Sequence, residues 1–385
     1  MSHPLYGSDR YTESVTAWNQ FKRDRRNGGQ RRDVEGPHRV EEAWTVDLVG
    51  PVGSPVLDRD TVFVGTSRGN VYALDREDGR RRWVFETMTA TDVTPVVTRE
   101  AVHVGTKEGT IYSLEPATGE QRWEADLPGS HTTALAVSDG QLYAGHTAGC
   151  SALETATGAE VWTHETDAPV AGSPAIDDDR EWSQPRVFVG TDDETVLSLE
   201  SESGEESWSV PADGAVTDGP TVADGRVYVG DDGGTMLALD GETGQSWFTY
   251  EIRGAFTSSA TVLGDESETE EEDGTTFIGA DDGYLHVTGT TFGRRKVRGW
   301  LFAKKGIALD GEVRSSPIVV GDVVCVGDST GSLYGIDAEE FDHLWHFRTE
   351  GPISSTPAVG NNRLFVGSED ERLYCLEWTP GDPKP

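Results

Sequence analysis

The sequence predicts an all-β protein: an eight-bladed β-propeller of four-stranded antiparallel blades, closed by its own N-terminal strand. Three observations carry this. A short apolar phrase ending in glycine returns at Gly65, Gly105, Gly145, Gly190, Gly230, Gly279, Gly327 and Gly367, at intervals of 40 to 49 residues, the length of one four-stranded blade. Within each interval apolar residues alternate in short runs and helical spacing is missing. The last repeat runs out of chain before its fourth strand, while an unmatched strand stands at residues 41–48.

Each blade is expected to start at a hydroxyl-proline step: Ser54-Pro55, Thr94-Pro95, Ser173-Pro174, Ser316-Pro317 and Thr356-Pro357, with Gly219-Pro220 as a variant and Ala134-Leu135 and Ser259-Ala260 as exceptions. Proline has a fixed φ and no N–H, so it suits the entrance of an innermost strand. The second strand is the "VFVG" run, whose alternate residues face opposite sides of the sheet. In the third, "NVYALD" or "TMLALD", small Ala73 or Ala238 lets the next sheet approach. Hairpin glycines follow at Gly79, Gly119, Gly158, Gly204 and Gly244, where a tight turn needs positive φ. The fourth strand then opens on Trp83, Trp123, Trp162, Trp208, Trp247 or Trp345, indoles expected to wedge between successive sheets.

The strand "EEAWTVDL" at 41–48 has a tryptophan, Trp44, but no first three strands before it. Pairing it with the C-terminal repeat completes the eighth blade and removes two exposed sheet edges. The expected organisation is a partly basic leader with little regular structure over 1–40, the propeller over 41–378 and a tail over 379–385.

The combination of Ser-Pro, "VyVG", "lyALd", Thr-Gly and tryptophan resembles the pyrroloquinoline-quinone-like propeller repeat. Quinoprotein alcohol dehydrogenases and the outer-membrane assembly lipoprotein of the barrel-assembly machinery share that repeat. The resemblance runs from about Trp44 to Trp378. The leader, Trp18 to Gly29 with Gly36-Pro37 beyond, is similar to the segment that precedes the first blade in such proteins. The resemblance implies the fold; activity has to be argued from the site.

Acidic residues outnumber Lys and Arg by 68 to 32, for a net charge of −36, and only 6 of the bases are lysine. A carboxylate-rich, lysine-poor shell suits solubility in molar salt, where charges are screened over roughly 3 Å, and points to a salt-loving archaeal cell. The same charge argues against nucleic acid as a partner, since that affinity rests on neutralising phosphates. No apolar run is long enough to span a membrane. The pairs Arg25-Arg26 and Arg31-Arg32 lead into "DVEGPHRVEEAW" and not into an apolar stretch, so no export signal is read and a cytoplasmic monomer is expected.

Catalysis finds little support among the residues. In the quinoprotein dehydrogenases the resemblance implies a quinone held between a tryptophan and an adjacent-cysteine disulfide, with calcium beside it. Here Cys150, Cys325 and Cys375 are solitary and fall in different blades. Among the histidines, His103, His131, His146, His164 and His286 form no pair at metal-ligand spacing. The glycine-rich "GDDGG", 230–234, joins two strands and does not open a helix, so it is no phosphate cradle. The expectation is a protein without catalytic or metal residues and without a cofactor, with cofactor-binding residues left unassigned.

What remains is surface. The loops between second and third strands carry Arg68 and Lys107 in blades one and two. In blades four to eight they carry Asp192, Asp193, Asp231, Asp232, Asp281, Asp282, Asp328 and Asp370. This acidic arc reads either as a dock for cations or a basic partner or as ordinary turn chemistry. Blade six departs from the pattern: its first hairpin holds an acidic run at 265–273, and its later hairpin becomes "TFGRRKVRGWLFAKKG". There Arg294, Arg295, Lys296, Arg298, Lys304 and Lys305 surround apolar Trp300, Leu301 and Phe302, either an anchor for an acidic partner or polyanion or a displaced blade tryptophan with compensating charge. A second basic cluster, Lys22, Arg23, Arg25, Arg26, Arg31 and Arg32, is expected to pin the leader to the acidic ring. Together these features suggest a non-catalytic propeller that binds an unidentified protein partner, as a scaffold or assembly platform. The alternative is a small-ligand or quinone-binding domain.

Overall fold

The computed structural model describes residues 18–130, 133–178, 184–264, 273–297 and 305–381. Eight sheets follow one another along the chain, each with four strands paired antiparallel and running outward from the strand at the blade entrance. In the first blade Val56–Asp58, Thr61–Gly65, Asn70–Asp75 and Arg81–Glu86 pair in that order. The inner strands are mostly short and buried, and apolar residues share their buried positions with Thr221, Thr261, Ser173 and Asp177. The outer strands alternate exposed and half-buried residues because one edge meets solvent.

The eighth blade closes as the sequence predicts. Glu41–Asp47 pairs antiparallel with Arg372–Glu377, setting Trp44 opposite Cys375. A bulge falls just before Trp44, and the third-to-fourth strand pairing of blade one carries the same irregularity beside Trp83. The N-terminal strand therefore reproduces the local geometry of a fourth strand in detail.

The joints between blades are built on those tryptophans. The indole of Trp83 packs on Gly119 of the next blade, and Trp44, Trp123, Trp162 and Trp208 lie in the same way against Gly79, Gly158, Gly204 and Gly244. Each ring N–H donates to a carbonyl of that neighbouring turn, as Trp83 Nε1 does to Pro116 O at 2.9 Å and Trp162 Nε1 to Ser201 O at 2.8 Å. A large apolar face and one satisfied polar atom are buried together.

Blade five corrects the expectation for Trp247. The residue opposite Ala238 is Phe248, in the register that sets Trp83 opposite Ala73. Phe248 is buried and meets Gly293 of blade six, while Trp247 is 52% exposed. The wedge here is a phenyl ring, displaced by one position from the motif.

Over residues 18–40 the leader has one two-residue strand and one isolated bridge, Trp18 to Leu57, and otherwise turns and bends. Gln30–Arg31 forms a parallel strand against Ile318–Val320, giving blade seven a fifth strand. Trp18, Lys22 and Asn27 are all buried, and the segment turns through positive φ at Lys22, Arg23, Asn27 and Gly29.

Candidate functional site

The inner strands of a propeller line its central channel, and in this protein the leader enters that channel at the end nearest the first hairpins. Its contacts visit every blade. Leu57 N donates to Trp18 O at 2.7 Å, Val97 N to Asn19 O at 2.7 Å and Val137 N to Gln20 Oε1 at 2.9 Å. Ile176 N donates to Arg25 O at 2.6 Å, Val222 N to Arg26 O at 2.9 Å and Val319 N to Gly29 O at 2.8 Å. Lys22 Nζ and Gln30 Nε2 reach Ala260 O and Val262 O in blade six, and Arg31 Nη1 reaches Val359 O in blade eight at 3.5 Å. Inner-strand N–H groups that would otherwise face the channel unpaired are satisfied by a strap of the same chain.

The strap carries charge inward. Lys22 is fully buried, and desolvation pulls its ammonium from 10.5 down to about 7 against the raising influence of Asp218 and Asp24. Asp218, buried near the axis, accepts hydrogen bonds from Gly219 N, Ser259 N and Ser316 Oγ, yet burial still pushes its carboxyl upward. Arg25 and Arg26 pair with Asp178 and Asp177 beside the inner strand of blade four. The hydroxyls of the Ser-Pro steps continue this polar lining: Ser54 Oγ accepts from Thr356 N at 2.8 Å and Ser316 Oγ from Ser259 N at 3.0 Å, each bond crossing from blade to blade.

At the opposite end, the loops between second and third strands are stapled to the loops that enter the blades. Asp232 Oδ1 accepts from Ala215 N and Asp281 Oδ1 from Ala255 N, both at 2.8 Å. Asp231 is buried, accepts from Thr235 N and Asp213 N, and has its carboxyl raised by desolvation. Asp282 accepts from His286 Nε2 at 3.1 Å and lies 3.7 Å from Lys305 Nζ. Asp192 and Asp193 stand exposed at the tip of the blade-four turn. Most of the acidic arc thus holds turns in shape: Asp231 and Asp328 are buried, while Asp192, Asp193, Asp232 and Asp281 stand exposed. Between blades eight and one the same face opens a cleft of about 320 Å³ lined by Ser54, Ser67, Asp92, Ser355 and Glu369.

In blade six, Arg295 Nε donates to Tyr250 Oη at 3.0 Å, Lys296 Nζ to Thr275 Oγ1 at 2.9 Å, and the Arg294 guanidinium lies 5.3 Å from the Phe292 ring. Arg298, Trp300, Leu301, Phe302 and Lys304 lie outside the described residues. The sequence reading did not single out Trp247 and Phe292 as surface residues; both are exposed, and Trp247 Nε1 donates to the carbonyl of Thr291, next to Phe292. The Phe at 248, directly after Trp247, was the available signal that the indole was not needed as the wedge. The three cysteines are buried in the sheets of three separate blades, and burial holds the Cys150 and Cys375 thiols up at about 12. They do not form the adjacent-cysteine floor on which a dehydrogenase-type quinone rests. Among the described residues no group of three or more His, Cys, Asp or Glu is placed to hold a metal, and no helix is long and apolar enough to cross a membrane.

Comparison with known proteins follows this geometry. The PQQ_2 family, outer membrane protein assembly factor BamB, matches residues 38–134, 107–183, 151–340 and 288–384. A search of curated protein sequences finds no match. Among solved structures, BamB from Moraxella catarrhalis superposes with a TM-score of 0.71 at 20% identity, covering 88% of this chain and 100% of that one. A europium-containing methanol dehydrogenase gives 0.73 at 13% identity, covering 95% and 99%. The computationally designed Ika8 protein gives 0.73 at 18% identity, covering 88% and 100%. Identities this low establish the shared propeller fold, and the sequence match over nearly the whole ring places the chain in the PQQ_2 family of the outer membrane protein assembly factor BamB.

Proposed function

We propose that the protein is a non-catalytic propeller that serves as a protein-interaction scaffold or assembly platform in a high-salt cytoplasm. The observation that carries this reading is the strap. Residues 18–31 fill one end of the channel with contacts to all eight inner strands, which leaves the stapled loop face and the outer rim as the surfaces for recognition. A rigid ring loses little conformational freedom on binding, so a few exposed aromatic or arginine anchors can set affinity. The family name, an assembly factor, supports the same reading, and the acidic composition supports the high-salt setting.

A second reading, a small-ligand or quinone-binding domain, rests on the cleft of about 320 Å³ beside Ser54, Asp92 and Glu369. One pair of measurements separates them. Affinity capture from cells in molar KCl, with cross-linking, should return a protein partner bound at the loop face or rim. Addition of pyrroloquinoline quinone with calcium should leave the melting temperature unchanged. A clear thermal shift without a captured partner would reverse the assignment.

A further inference from the structure

We propose that the outer corner between blades five and six, built on Trp247, Phe292, Arg226 and Arg294, docks an acidic protein segment that carries apolar side chains. This rests on the scaffold reading and names the partner's chemistry.

Three observations converge. Trp247 and Phe292 are 52% and 67% exposed, whereas Trp83 and Trp162, wedged against the next blade, are 8% and 7% exposed. The exposure is not demanded by the fold, because Phe248 fills the wedge seat against Gly293 and releases the indole. Second, the corner is held in place before any partner arrives. Trp247 Nε1 donates to Thr291 O at 3.0 Å, Arg226 Nη1 donates to Thr290 O at 3.3 Å, and the Arg226 guanidinium stacks 4.2 Å from the indole. The Arg294 guanidinium lies in the same way near the Phe292 ring. Fixed aromatic and arginine groups are the residue types that dominate binding energy at interfaces. Third, Arg226, Arg294 and Arg295 form no ion pair with any described carboxylate. In a chain of 68 acidic and 32 basic residues, carboxylates are the commonest available neighbours. Arg226 and Arg294, each lying against one of two partly exposed rings, match a segment in which carboxylates alternate with apolar side chains: the acids meet the guanidinium edges, and the apolar groups cover the parts of the rings left open.

The test uses the full chain in molar KCl and a fluorescein-labelled synthetic peptide of alternating Glu and Leu, read by anisotropy. The parent protein should bind it, and Trp247→Ala and Phe292→Ala should each weaken binding by about tenfold or more, with melting temperatures close to the parent's. Arg226→Gln and Arg294→Gln should weaken binding more in dilute salt than in molar salt. The proposal is overturned by any of four results: no binding to the parent, equal binding after both aromatic substitutions, equal binding of a Lys-Leu peptide, or oligo-dT binding as tightly as the acidic peptide. Binding that arises only after the acidic residues at 265–272 are replaced by Ser would overturn it too, because that segment would then be the natural occupant. If a Trp247→Ala/Phe292→Ala double variant still captures a cellular partner in full, this surface is wrong while the scaffold reading stands.

Discussion

Gly119 of the second blade lies against the face of Trp83 of the first, and a β-carbon built on that glycine would stand 2.7 Å from the indole Cδ2. The glycine serves two needs at once: its φ of +74 closes the hairpin, and its missing side chain admits the ring. Gly119→Ala should therefore destabilise by roughly 1–3 kcal/mol through overpacking and backbone strain. Trp83→Ala should cost about 3–5 kcal/mol by leaving the seat empty. Urea unfolding in molar KCl checks both. If Gly119→Ala were neutral, the joint would not be the close contact described.

Blade five offers the complementary experiment, because wedge and tryptophan are separate residues there. Phe248→Ala should cost about 3–5 kcal/mol. Trp247→Ala, which removes a half-exposed ring, should cost about 1 kcal/mol or less. Equal losses at the two positions would mean that the indole shares the wedge role, and its exposure would then carry no functional weight.

The fold was legible because its signals are local and repeated: a glycine at each second-strand end, a proline at six of the eight blade entrances, a tryptophan near most fourth strands. Ring closure was legible for the same reason, since Trp44 and its neighbours are a fourth strand without a blade. The strap was not. Residues 18–31 have neither strand alternation nor helical spacing, and their partners, from Leu57 to Val359, are spread over about 300 residues. Basic charge suggested attachment, but most of the bonds that seat the strap end on a backbone N–H or carbonyl of the ring, which composition does not encode. The exposed corner was half legible: Arg294 and Arg295 stood out by charge, while Trp247 was absorbed into a motif that Phe248 had taken over.

The strap predicts a pattern of amide protection. In the full chain the amides of Leu57, Val97, Ile176, Val222 and Val319 should exchange slowly, since each donates to the leader. A chain starting at residue 33 should show these five amides exchanging faster by orders of magnitude, with a lower melting temperature, while the Thr61–Gly65 strand stays protected. Unchanged exchange at the five positions would show that the strap is not seated in solution.

Lys22 gives the strap a pH signature. Its folded pKa of about 7 lies below the ordinary 10.5. Between those values the unfolded chain holds a proton that the folded chain has released, so stability rises as pH climbs from 7. The raised thiols act in the opposite sense above about 9, where unfolded cysteines ionise first. The useful window is therefore pH 7 to about 9. The parent should gain up to about 1.4 kcal/mol per pH unit there from this group, and Lys22→Met should lose that slope. Parallel pH profiles for parent and variant would show that the amine is solvated rather than buried.

His103 supplies the acid limb. It occupies the second-strand position that faces the wedge ring, where other blades place Phe63, Tyr143, Phe188 and Phe365, and its ring lies 5.4 Å from that of Trp123. Both ring nitrogens are buried without a hydrogen-bond partner. Desolvation first, and Arg122 second, pull its pKa from 6.5 down to about 4. A histidine with a depressed folded pKa is neutral in the folded ring while the unfolded chain takes up a proton below 6.5, so its contribution is lost as pH falls from 6.5 toward 4. His103→Phe places at this seat the ring the neighbouring blades already use and removes two unpaired polar atoms. The variant should be more stable than the parent at pH 7 by about 1 kcal/mol or more. Its advantage should widen by up to about 3 kcal/mol between pH 6.5 and 4. Urea midpoints at pH 7, 6, 5 and 4 would show this as a growing gap, and a constant gap would mean that His103 keeps its proton inside the blade.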